Sequence, residues 1–184
     1  MAHRPDTLEH APLGRDSAYP EQYDAGLLYP IPRAANRAPL GIDEGVLPFV
    51  GEDEWHAFEV SWLNSRGKPI VAVARFRLPA HSPNLIESKS WKLYLNSFNQ
   101  SRFYSRQEVM ETMANDLAVA AGAEVSVELF DVDASELSPQ HLPGECLDDL
   151  DIAVSDYTPS SDHLVVGNEI VEETLYSHLL KSNC

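Results

Sequence analysis

The stretch Leu85-Ile86-Glu87-Ser88-Lys89-Ser90-Trp91-Lys92-Leu93-Tyr94-Leu95-Asn96-Ser97-Phe98 reads as a strand end running into a helix that opens near Glu87. At helical spacing Trp91, Tyr94, Leu95 and Phe98 share one apolar stripe, with Glu87 at its head and Lys89, Lys92 and Asn96 on the opposite face. A carboxylate in a first turn is favoured by the helix dipole, yet on an inward face it loses water unless a donor meets it. Two readings stand side by side: a helix-start glutamate flanked by solvated lysines, or a carboxylate kept for a ligand.

The charge distribution favours the ligand. The chain holds 29 acidic and 13 basic residues, net −16, whereas Ser88 to Gln107 contains Lys89, Lys92, Arg102 and Arg106 and no acid. A local basic patch on an acidic background suggests an anionic ligand. A pI near 4.6 argues against a nucleic-acid surface, which needs Lys and Arg spread over a wide face. The partner is therefore expected to be a small molecule or a protein. A length of 184 residues suits one domain, or one domain with the start of another.

No apolar run is long enough for a membrane span, and no charged-then-apolar signal opens the chain. Two cysteines, Cys146 and Cys184, make no disulfide framework and fit a reducing, cytoplasmic setting. The seven histidines show no metal-ligand spacing, and Cys-x-x-Cys is absent, so no metal is expected.

Working outward, residues 1–39 hold six of the 13 prolines, including Tyr29-Pro30-Ile31-Pro32, and form an extended arm. Burial of its Tyr19, Tyr23, Leu27, Leu28 and Tyr29 would wrap it over a neighbouring surface; the alternative is a flexible terminus. The first module is expected over 40–130. From Trp55 the pattern has period 2, with His56, Phe58, Val60 and Trp62 on one face and Ala57, Glu59, Ser61 and Leu63 on the other. Asn64 to Pro69 supplies a turn, and Ile70 to Leu78 a second, antiparallel strand. After the Glu87 helix, Ser105 and Glu108 form a capping box. The helix it opens buries Val109, Met113, Leu117 and Ala120, and ends at Gly122. Val125, Val127 and Leu129 mark a third strand. This order predicts an α+β domain with two helices on one face of an antiparallel sheet.

Residues 131–156 carry eight acids and no Lys or Arg, so 131–168 reads as an acidic, loop-rich connection. Alternation resumes at about Glu169 with Thr174, Tyr176, His178 and Leu180, where Ser177-His178-Leu179 loosely echoes Ser61-Trp62-Leu63. Residues 169–184 are thus expected to begin a second copy of the fold.

The octapeptide Glu87-Ser88-Lys89-Ser90-Trp91-Lys92-Leu93-Tyr94 resembles the signature of the NADPH-dependent 7-cyano-7-deazaguanine reductases, the nitrile reductases of queuosine biosynthesis. Leu13-Gly14, Gln22-Tyr23-Asp24, Pro30-Ile31-Pro32-Arg33, Trp62-Leu63-Asn64 and Tyr176-Ser177-His178-Leu179-Leu180-Lys181-Ser182-Asn183-Cys184 resemble the two-module branch of that family. The resemblance implies a tunnelling fold whose modules associate through their sheets, hence a homo-oligomer, expected as a homodimer of two-module chains. It implies Cys184 as the nucleophile that forms a thioimide with the nitrile. Ile86, Glu87 and Ser88 would contact the deazaguanine ring, and Ser88 and Lys89 the NADPH. The family's proton-donating Asp just after the cysteine, and a later His-Glu pair, have no counterpart in this sequence. The sequence is therefore expected to be the front portion of a longer enzyme, inactive by itself. Two other classes remain open: a non-catalytic module of the same fold that binds a purine- or pterin-like ring or a partner chain, and a cyclohydrolase-type enzyme, which would want zinc ligands.

Overall fold

The computed structural model describes residues 20–137, 142–158 and 160–179. The expectations for Leu13-Gly14, Tyr19, Leu180 and Cys184 lie outside the described residues. The chain divides into two compact units, 1–135 and 136–184.

The first unit is α+β. Strand β1 (Pro30–Pro32) and helix α1 (Ala34–Arg37) belong to the arm; β2 (Glu52–Leu63), β3 (Pro69–Pro79), β4 (Asn84–Ile86), α2 (Ser88–Ser97), α3 (Arg106–Ala121) and β5 (Ser126–Phe130) follow. β2, β3 and β5 form one antiparallel sheet in that order, and β1 pairs antiparallel with β4. Asn64 holds the β2–β3 turn: its amide donates to the Lys68 carbonyl, and its Oδ1 accepts from the Arg66 and Lys68 amides. Gly67, at φ 81°, takes the left-handed position there.

The core lies between sheet and helices. Val60, Trp62, Ala72, Ala74, Phe76 and Leu78 of the sheet meet Trp91 and Tyr94 of α2, its C-cap Phe98, and Val109, Met113, Leu117 and Ala121 of α3. The inward alanines leave room for the large aromatic side chains of α2. Burying each large side chain contributes roughly 1.5–3 kcal/mol. α3 starts as expected: Ser105 Oγ accepts from the Glu108 amide at 3.1 Å. Glu108 reaches back one residue further than a capping box requires, to the Tyr104 amide at 2.6 Å. Gly122 caps the other end at φ 73°.

The expected alternation of β2 is corrected by a bulge. Ala57 pairs with Ala74 and Val60 with Ala72, so Phe58 and Glu59 together oppose one residue of β3. Trp55 and Ala57 therefore join Val60 and Trp62 in facing the core, while His56 is exposed and Phe58 is 64% exposed. A period-2 pattern cannot survive an inserted residue, and the parity inverts across it. On the outer face Arg77 pairs with Glu52, Glu54 and Glu128, and Arg75 with Glu128.

The described part of the arm, residues 20–39, packs against the unit. Leu27 and Leu28 pack on the core. Tyr23 sets its ring against Tyr94, Phe98 and Phe103 and its hydroxyl on Asp116. Arg33 pairs with Asp53, and its amide donates to the Pro83 carbonyl. In the second unit, β6 (Glu145–Cys146) pairs in parallel with β7 (Leu175–Tyr176). Regular structure resumes there at Leu175 rather than near Glu169, and the described residues of the acidic stretch before it are largely irregular and exposed.

Candidate functional site

Ile86, Glu87, Ser88 and Lys89 follow one another through the turn from β4 into α2. Ile86 ends β4 and is buried in the core; Ser88 is exposed, and Lys89 is partly so. Glu87 is the N-cap of α2 and only 4% exposed. Its Oε1 accepts from the Lys89 amide at 2.9 Å and its Oε2 from the Ser90 amide at 2.6 Å. Those are orphan donors of the helix start, so the carboxylate fills the position a bound anion would take. The desolvation problem raised by the sequence is thus met by the helix itself. A carboxylate has about four acceptor sites, and these two amides take two of them.

α2 and the first half of β2 enclose a cleft of about 340 Å³. Ser88, Lys92 and Asn96 line it at successive helical turns, together with Trp91, Leu95, Phe76 and β2 from Trp55 through the bulged Glu59. Trp55 and Trp91 lie with ring centroids 4.8 Å apart. The Trp91 indole N–H is the one buried side-chain polar atom without a hydrogen-bond partner among the described residues. Such a donor costs about 1–3 kcal/mol unless an acceptor meets it. The combination of aromatic walls, one ammonium and small polar groups suits a flat, polar heterocycle.

The basic patch read from sequence is dispersed. Arg102 donates to the Ser65 carbonyl at 3.4 Å beside the β2–β3 turn, and Arg106 pairs with Asp131. Of the four cations only Lys89 and Lys92 lie on α2. The cleft residues of β2 carried no readable signal, because the bulge that re-aims them leaves no motif. No group of three or more His, Cys, Asp or Glu residues suited to a metal occurs among the described residues. No helix among them is long and apolar enough to cross a membrane.

Residues 19–129 match the family model described as "Nitrile reductase, 7-cyano-7-deazaguanine-reductase N-term". The chain is 71% identical over its whole length to the NADPH-dependent 7-cyano-7-deazaguanine reductase of Chromohalobacter salexigens, of which it covers 66%. It is 55% identical over 99% of its length to the reductase of that name from Dechloromonas aromatica, covering 65% of it. For the one from Chromobacterium violaceum the figures are 52%, 97% and 64%. The chain spans about two thirds of the length of these curated relatives.

Proposed function

Because the chain belongs to the family of the N-terminal part of the 7-cyano-7-deazaguanine nitrile reductases, we propose that it supplies substrate recognition for such an enzyme. The reaction is the NADPH-dependent reduction of 7-cyano-7-deazaguanine to 7-aminomethyl-7-deazaguanine, a step of queuosine biosynthesis. The observation that carries this reading is Glu87: a buried carboxylate, fixed by two backbone amides, immediately before a residue that lines an aromatic cleft. Its remaining lone pairs suit the adjacent N–H donors of a deazaguanine ring, a charge-assisted pairing that also fixes orientation. Ile86 closes the apolar side, and Ser88 offers a hydroxyl.

NADPH, when bound, would supply one hydride per molecule, so two molecules used in turn, with two protons, would convert the nitrile to the amine. The α2 terminus fits an anionic cofactor only through side chains, since Glu87 already occupies the Lys89 and Ser90 amides. Ser88 and Lys89 are assigned to it on the resemblance to the family. The nucleophile is Cys184, whose thiol adds sulfur to the nitrile carbon and a proton to its nitrogen, giving the thioimide. The architecture is taken as one tunnelling-fold module, supported by the strand, strand, helix, helix, strand order and by both helices packing into the core on one sheet face. β2 has one strand neighbour among the described residues, which favours a homo-oligomer built through sheet edges. NADPH chemistry with a reactive thiol suits a cytoplasmic setting.

The test uses the protein at the full length of its relatives. Incubation with the nitrile is expected to add its mass to the peptide that contains Cys184, and an adduct that persists in Cys184→Ala refutes the nucleophile. Glu87→Ala is expected to weaken nitrile binding at least tenfold by calorimetry, about the net worth of a hydrogen bond to a charged group. Unchanged binding refutes the recognition role.

A further inference from the structure

Glu87 is not held by α2 alone. The Tyr29 amide donates to Ser90 Oγ at 3.0 Å, the Ser90 hydroxyl donates to the Glu87 carbonyl at 2.7 Å, and the Glu87 amide donates to the Tyr29 carbonyl at 2.9 Å. These three bonds close a ring across a sequence separation of 61 residues. Ser90 sits at its centre, because its own amide also donates to Glu87 Oε2. The arm continues from Tyr29 into β1, whose Pro30 and Ile31 pair with Ile86 and Leu85. The turn bearing Ile86, Glu87 and Ser88 is therefore clamped from the N-terminal arm.

We propose that Ser90 is a positioning residue: through the ring with Tyr29 it sets the Glu87 carboxylate in the direction that receives the substrate's N–H donors, so the N-terminal arm takes part in recognition without touching the ligand. This rests on Glu87 being the ring-binding carboxylate. Ser90 is fully buried, so its hydroxyl makes no contact with solvent. A buried hydroxyl that both accepts from the arm and donates to the Glu87 carbonyl joins them as one rigid body. A bidentate contact depends steeply on such alignment. Prolines at both ends of β1 restrict the arm's backbone before it docks, which lowers the entropic cost of forming the ring.

A second serine provides the control. Ser97 Oγ accepts from the Asp24 amide at 3.2 Å and donates to the Tyr94 carbonyl at 2.6 Å, the same arrangement two turns further along α2 and away from Glu87. In the full-length protein, nitrile affinity by calorimetry and Tm are measured for Ser90→Ala, Ser97→Ala, Glu87→Ala and the Ser90→Ala/Glu87→Ala double variant. Ser90→Ala is expected to weaken nitrile binding about tenfold, the equivalent of one hydrogen bond's net worth. The two serine variants should lower Tm by similar amounts, whereas Ser97→Ala should leave affinity within about twofold. In the Glu87→Ala background the effect of Ser90→Ala on affinity should vanish. Equal loss of affinity from both serine variants, no loss from Ser90→Ala, or an effect that persists without Glu87 overturns the inference. Unchanged binding in Glu87→Ala fails the recognition reading itself, a different outcome from a silent Ser90→Ala. If Ser90→Ala does not fold, Ser90→Cys, with a weaker donor and acceptor of similar shape, is expected to give an intermediate loss, and unaltered affinity in it is equally fatal.

Discussion

Replacing Asp116 by Ala should loosen the whole first unit, because one carboxylate oxygen anchors two elements to α3. Asp116 Oδ2 accepts from the Tyr94 hydroxyl at 2.6 Å and from the Tyr23 hydroxyl at 2.7 Å. A hydrogen bond to a charged group contributes about 1.5–3 kcal/mol. The full range applies to Tyr94, which is 0% exposed, whereas Tyr23 is 36% exposed and water replaces much of what it loses. The two together give a destabilisation of about 2–4 kcal/mol. All three tryptophans, Trp55, Trp62 and Trp91, lie in the first unit, so indole fluorescence during urea unfolding reports that unit alone. Asp116→Ala should shift the midpoint without changing the slope. Combined with Tyr94→Phe, it should cost about 1–2 kcal/mol less than the sum of the single changes. A loss below about 0.5 kcal/mol, the range of ordinary surface substitutions, would refute the anchoring role.

Two further outcomes follow from other contacts. Burial, and then the hydrogen bond to Asp116, hold the Tyr94 hydroxyl far above its ordinary pKa of 10.0, so folded Tyr94 keeps a proton that the unfolded chain gives up. The stability from this group is complete below about pH 10 and is lost as pH rises above it, so Tm should fall more steeply there in the wild type than in Tyr94→Phe; parallel curves would contradict this. Gly122→Ala should cost about 1–2 kcal/mol in urea unfolding from the left-handed backbone alone. The added Cβ would also lie 2.6 Å from Pro83 Cγ, so a neutral substitution would show that the α3 end and the β4 entry shift freely.

The parts of the fold legible in sequence were those set by local rules. Ser105 with Glu108 and the terminal Gly122 fixed the ends of α3, and the turn from Asn64 to Pro69 fixed the hairpin. Glu87 was legible as a helix start, and its carboxylate does cap α2. What could not be read depends on contacts distant in sequence. β4 is three residues long and exists through its pairing with β1. Ser90 and Ser97 carry no burial signal in the local pattern, yet both are fully buried and the arm's amides reach their hydroxyls. The basic patch misled for the same reason: Arg106 finds Asp131, 25 residues away. The cleft wall from β2 was hidden because the strand's parity changes halfway along it.

That change of parity also bears on comparison between relatives. Twelve residues of β2 run beside eleven of β3, and the surplus residue is taken up between Ala57 and Val60. The strand thus has two reading frames, one for Glu52 to Ala57 and another for Val60 to Leu63. A relative with one residue fewer at this point would lose the bulge and run in a single frame, with Trp55 still opposite Phe76 on the core face. What would change is the cleft wall, where one residue would stand in place of Phe58 and Glu59, although a residue-by-residue alignment would record only a one-position gap. For the cleft beside α2, the length of this short segment therefore matters as much as its composition.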